Sequence, residues 1–115
     1  MEEISRLSAD ARGTFNAIEN GARMGIVPTI GLAELMHISE VGSTPIEFVK
    51  VLRRIHGSQH FDAVALDVDI LLRMHPLRGL ELHDRVVVAT ALSLGAKLVT
   101  QDEAIRSSGA VECIW

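Results

Sequence analysis

Tyrosine is missing from this chain, and Phe and Trp bring the aromatic share to only 3% of its 115 residues. Stacking of unpaired bases on aromatic rings, the usual device of sequence-tolerant single-strand binders, is therefore nearly excluded. Any nucleic acid would have to be held by charge and metal. Positive charge is scarce too: the formal net charge is -4, so no broad basic field draws phosphate, although a local cluster stays open. The lone Cys113 allows no internal disulfide and has no Cys or His at zinc spacing, which fits a reducing cytoplasm and a small apolar residue in a core. No run approaches the roughly 18 apolar residues of a membrane span, and the N-terminus opens on acids rather than on a basic region and an apolar signal core. The expectation is a soluble, cytoplasmic chain with no membrane partner.

What is present is ordinary globular material. Hydrophobic residues make up 48% and charged residues 23%, with 9 Gly and 3 Pro, a composition that buries a core rather than staying disordered. The length suits a single domain over 1–115. Ser8 caps a helix over about 9–20, stopped at Gly21. The stretch G-I-V-P-T reads as a short strand, and Thr29 starts a second helix stopped at Gly42. Thr44, Pro45 and Glu47 form a capping box with proline at the first helical position, predicting a helix to about His56. A strand over 61–67 and a helix before Pro76 follow. The order then repeats: helix 83–94 stopped by Gly95, strand 97–101, helix 102–108 stopped by Gly109, strand 111–115. Helices alternating with short apolar strands imply a mostly parallel sheet covered on both faces.

In such a sheet, ligands bind beyond the carboxyl ends of the strands. Asp102 follows strand 97–101, Asp84 begins a helix, and Glu34 lies about one turn into the helix after G-I-V-P-T. Three acids from three segments can thus converge on one rim. Carboxylates held together repel unless a cation sits among them. Mg²⁺ or Mn²⁺, with oxygen ligands, resolves that conflict and suits phosphoryl chemistry. Taken singly, Asp84 also reads as a cap or first-turn acid, Asp102 as an N-cap and Glu34 as an exposed helical residue.

The stretches P-T-I-G-L-A-E-L and L-H-D-R-V-V-V-A-T-A-L-S-L-G-A-K-L-V-T-Q-D-E-A-I-R-S-S-G-A-V-E-C-I-W resemble the PIN-domain family, and within it the VapC-type toxins of toxin-antitoxin modules. The resemblance runs over nearly the whole chain and rests on the combined H-D-R start, A-T-A helix and T-x-D step. It implies a three-layer α/β/α sandwich and a metal-dependent endoribonuclease, with Glu34, Asp84 and Asp102 as catalytic acids binding Mg²⁺ or Mn²⁺. Thr100 matches the hydroxyl residue beside them. It further implies structured RNA, such as transfer or ribosomal RNA, as substrate, a cognate antitoxin as partner and a homodimer. Leu32, Leu35, Ile38, Phe48 and Leu52 are candidates for the dimer surface.

Family members open with a central strand ending in an aspartate followed by Thr or Ser, whereas M-E-E-I-S-R-L-S-A-D-A corresponds to the segment just after it. The resemblance therefore implies unpaired edges at strands 25–28 and 97–101 and a three-acid site. Either Met1 is an internal methionine of a longer reading frame, or the chain is a remnant with impaired nuclease activity that binds antitoxin as a regulator or decoy.

Other residues carry double readings. His83 orients an acid, contacts RNA, or caps and packs. Arg85 meets phosphate or pairs with Glu81. Lys50, Arg53, Arg54 and His56 form a basic stripe for RNA or an acidic antitoxin tail, or a solvated face. Asp67 and Asp69 read as caps, Met24, Met36 and Met74 as core filler, and Trp115 as a cover for the bottom of the sheet. A receiver-like doubly wound domain would need an acid pair after the first strand and a lysine after the last, which the sequence does not show.

Overall fold

Local punctuation sets the helices of the computed structural model, which describes residues 8–42 and 47–115. Helix α1 (Ala9–Glu19) starts at Ser8, whose hydroxyl accepts the Ala11 N–H at 3.1 Å. That bond satisfies one of the amides a helix start leaves orphaned. Strand β1 (Gly25–Pro28) leads into α2 (Thr29–Val41), and α3 (Phe48–Gly57) leads into β2 (Phe61–Val64). Of the expected capping box, Thr44 and Pro45 lie outside the described residues. Glu47 occupies the N-cap position of α3 without a side-chain cap, and its carboxylate pairs with Lys50 at 2.7 Å.

Helix α4 (Val68–Met74) is capped by Asp67, which accepts the Ile70 N–H at 2.9 Å. Helix α5 (Leu82–Leu94) ends at Gly95 (φ 62°), whose N–H returns to the Ala91 and Leu92 carbonyls. This left-handed cap strains any residue with a Cβ. Strand β3 (Leu98–Val99), α6 (Glu103–Ser108) and β4 (Cys113–Ile114) complete the chain, with Gly109 (φ 67°) closing α6.

Among the described residues both strand pairs are parallel. Gly25 to Pro28 lie opposite Phe61 to Val64, and Leu98 and Val99 opposite Cys113 and Ile114. Gly25 is buried because the β1–β2 contact is close: a Cβ there would meet the Phe61 ring at 2.7 Å. The chain is thus a mixed α/β fold with parallel pairing. It differs from the expected continuous sheet in one respect: among the described residues the strands form two separate pairs, β1–β2 and β3–β4. β3 and β4 are also shorter than the apolar runs 97–101 and 111–115, because ladder contacts reach only two residues of each.

The core lies where α4 crosses α5. Ile70, Met74, Val86 and Ala89 are buried together, with Ile30 of α2 and Val64 of β2 packed against them. Thr90, buried beside them on α5, donates its hydroxyl to the Val86 carbonyl at 2.7 Å and so leaves no polar atom unsatisfied. Met74 fills this core as expected, whereas Met24 and Met36 are 58% and 42% exposed. Met24 lies in the turn before β1 and Met36 on the outer side of α2. Trp115 follows β4 and lines a cleft with Ala9, Asp10 and Arg106.

Candidate functional site

β1 runs directly into α2, and β3 is followed after three residues by α6, so both strands deliver side chains to the same rim. Helix α5 returns to β3 through the Gly95 turn and therefore presents its own first turn there. Glu34 on α2, Asp84 on α5 and Asp102 at the head of α6 are brought into mutual electrostatic range. The Asp84 carboxyl is pushed above its ordinary range, first by partial burial, then by the negative charges of Asp102, Glu81 and Glu34, with His83 acting in the opposite direction. Burial and like charge both disfavour the ionised form.

Each acid also has a local tie. His83 Nδ1 lies 3.2 Å from Glu34 Oε1, bridging α5 to α2, so the histidine orients Glu34 rather than its neighbour Asp84. Asp102 is the N-cap of α6: Oδ1 accepts the Ile105 N–H at 3.1 Å, while its own N–H donates to Thr100 Oγ1 at 3.0 Å. The cap reading of Asp102 therefore holds, and it leaves the second carboxylate oxygen for other partners. Thr100 positions the backbone of that aspartate. Asp84 caps nothing; it sits half-buried in the first turn of α5, behind an N-cap, Glu81, that makes no side-chain cap bond.

Glu81 is the member of the cluster that sequence reading missed as an acid of the site. Its signal was the E-x-x-D spacing, which places positions i and i+3 on one helical face. Arg85 does not pair with Glu81. Its Nε and Nη2 donate to the Met74 carbonyl at 3.1 and 2.9 Å, and Nη2 also to the His75 carbonyl at 3.2 Å. The guanidinium thus satisfies the orphan carbonyls at the end of α4, where the helix dipole favours a cation. The basic stripe on α3 is exposed, with Lys50 on Glu47 and Arg54 4.0 Å from Glu19. Of the two acids after β2, Asp67 is a cap, while Asp69 accepts from Arg73 at 3.2 Å and from Ser93 Oγ at 3.0 Å, fastening α4 to α5.

The donor set, three carboxylates with a hydroxyl beside them, suits a hard divalent cation; the Asp84 pKa is raised first by burial and then by neighbouring negative charge, and a cation would relieve the second. Among the described residues, however, no group of three His, Cys, Asp or Glu side chains closes to metal-holding distance. The acids converge without closing to that distance. No protein-family model and no curated protein matches the chain.

Proposed function

We propose that this chain is a PIN-type, three-layer α/β/α domain that hydrolyses RNA phosphodiester bonds with Mg²⁺ or Mn²⁺, as the toxin of a toxin-antitoxin pair. The observation that carries the reading is the electrostatic coupling of Asp84 to Asp102 and Glu34, three acids drawn from separate elements to one rim. The motifs H-D-R and T-x-D supply the family resemblance. Glu34, Asp84 and Asp102 would hold the cation, which supplies charge neutralisation at the scissile phosphate and a more acidic water. One of these carboxylates would serve as the base that takes a proton from the attacking water. His83 holds Glu34 in place, and the Asp102 cap and Thr100 hydroxyl fix the other wall. A cognate antitoxin protein would silence the rim. Of the residues expected on a dimer surface, Leu32 is buried in its own fold, Leu35 and Phe48 are half-buried, and Ile38 and Leu52 are exposed; these two, joined by the exposed Val41 and Val49 on α2 and α3, would pair two copies.

The direct test is cleavage of transfer and ribosomal RNA by the purified chain in Mg²⁺ or Mn²⁺. Activity should vanish with a chelator and fall by roughly 100-fold or more in Asp84→Asn, Asp102→Asn and Glu34→Gln. Cleavage unaffected by all three substitutions sinks the proposal.

The split between β1–β2 and β3–β4 favours one second reading: a catalytically impaired remnant that binds antitoxin as a regulator or decoy. It requires antitoxin binding with no metal-dependent cleavage at any RNA.

A further inference from the structure

The turn between α4 and α5 carries an arginine that no acid answers. The Leu77 N–H donates to the Met74 carbonyl at 3.0 Å and the Leu80 N–H to the Leu77 carbonyl at 3.3 Å, so the backbone around Arg78 is tied down. Arg78 Nη2 lies 3.3 Å from His75 Nε2. A guanidinium only donates, so Nε2 accepts, as a neutral imidazole does. The arginine therefore keeps its charge uncompensated. Lys50, Arg54, Arg73 and Lys97 each face a carboxylate, whereas among the described residues none lies within ion-pair distance of Arg78. The rest of its planar fork stays open to an anion.

Its place indicates which anion. Arg78 lines a cleft of about 460 Å³ whose opposite wall is Ala104 and Ser107 of α6, and no acid lines that cleft. The first wall leads through Glu81 into the first turn of α5, where Asp84 stands, and Asp102 caps the helix of the second. Arg85, next to Asp84, ties the turn to α5 by donating to the His75 carbonyl at 3.2 Å. The cleft is thus flanked by the two segments that bring Asp84 and Asp102 to the rim. We propose that Arg78, steadied by His75, grips a backbone phosphate of the RNA strand flanking the scissile bond, and that the strand leaves the rim between the 76–80 turn and α6. The inference rests on the nuclease reading and adds the path of its substrate.

The chemistry calls for such a group. With a net charge of -4 and acids gathered on the rim, the chain repels a polyanion at every phosphate that a metal does not cover. An uncompensated guanidinium beside the rim offsets that repulsion where the strand must pass. Other cations suit the task less. Arg23 and Arg106 line a cleft shared with Asp10, whose carboxylate opposes an anion. Arg53 lies on α3 and lines no wall of the cleft beside α6. An acidic polypeptide would also meet Arg78, but nothing would then require the guanidinium to stand beside Asp84 and Asp102.

The experiment follows a labelled single-stranded oligoribonucleotide binding to the full chain by fluorescence anisotropy in millimolar Ca²⁺, then its cleavage in Mg²⁺. Arg78→Gln should weaken binding about 5-fold and lower the salt slope between about 50 and 200 mM KCl by about 0.7, one phosphate's worth on a single strand. In cleavage it should raise KM about 5-fold and leave kcat within about 2-fold. Arg78→Lys should restore the slope. His75→Ala should weaken binding about 2-fold with the slope intact, since it removes a neutral support and no charge. Arg53→Gln should change neither. An Arg78→Gln slope equal to that of the unaltered chain, with cleavage intact, overturns the inference and leaves the nuclease reading standing. An unaltered chain that neither binds nor cleaves RNA overturns both. Equal losses in Arg53→Gln would replace the site by a diffuse field. Arg78-dependent binding of a polyglutamate peptide, with RNA binding indifferent to Arg78, would assign the guanidinium to an acidic polypeptide and overturn the proposal too.

Discussion

The α4–α5 pair and the β3–β4 pair are comparable as neighbours in one small fold, yet they are held in opposite ways. Between the helices, Ile70, Met74, Val86 and Ala89 are all 5% exposed or less, and Asp69–Ser93 and Arg85–Met74 fasten the flanks. Between the strands there are two ladder positions, and Val99 remains 41% exposed. The difference follows from where each element finds its hydrogen bonds. A helix satisfies its interior amides internally, so two helices need only side-chain contact to be complete. A strand satisfies half of its groups on each side, and a pair is complete only when both outer edges are met.

The largest test of this contrast is truncation. Ile70→Ala should cost about 2–5 kcal/mol in urea unfolding, since it empties a closed core. Val99→Ala should cost less than about 1 kcal/mol, since little of that site is enclosed. Equal losses would erase the distinction.

The next effect probes the flank. Arg85→Met should lower stability by about 1–3 kcal/mol, because the Met74 and His75 carbonyls lose their donor. Glu81→Gln should leave it nearly unchanged. Matching losses in the two variants would mean that the guanidinium answers to Glu81 in solution.

Asp102 separates cap from charge at the open end. Asp102→Ala should cost about 1 kcal/mol, whereas Asp102→Asn keeps the acceptor for the Ile105 N–H and should stay within about 0.5 kcal/mol. Both should abolish any rise in melting midpoint produced by Mn²⁺. A midpoint that still rises in Asp102→Asn would place the cation elsewhere.

The smallest effect is the pH response of Asp84. Its folded pKa lies above the ordinary 3.8. Between those two values the native state keeps a proton that the unfolded chain has lost, so stability falls as pH rises through that window and is level above it. Asp69, held below 3.8 by Ser93 and Arg73, acts with the opposite sign: its contribution is present above pH 3.8 and is lost as pH falls through its folded value. Asp84→Asn should remove the first slope from an acid titration of stability and leave the second. An unchanged slope above pH 3.8 would show that neither burial nor the neighbouring acids raise the Asp84 pKa.

Much of the fold was legible because its signals act within a few residues. Ser8, Asp67, Gly95 and Gly109 stand within a residue or two of the helix ends they announce, each by a hydrogen bond or a left-handed backbone. The acid cluster was partly legible, since alternation alone sends Glu34, Asp84 and Asp102 to one rim. The partners of individual side chains were not. Arg85 reaches carbonyls 11 positions away, and His83 joins a glutamate on another helix. Neither distance leaves a periodic trace. Apolar runs also overstated β3 and β4, because hydrophobicity marks what can be buried, whereas a strand extends only as far as its neighbour's backbone follows.

By itself the sequence determined most helix ends, since caps, turns and i to i−4 bonds are settled inside each segment; the start of α3 is the exception, with Glu47 at its N-cap rather than inside a capping box. Only the tertiary structure decided that, among the described residues, the strands form two pairs rather than one sheet, that Arg85 serves α4, and that the described acids approach without closing. Those outcomes depend on contacts between distant segments, where backbone partners and repulsion among like charges are fixed only once the elements have packed.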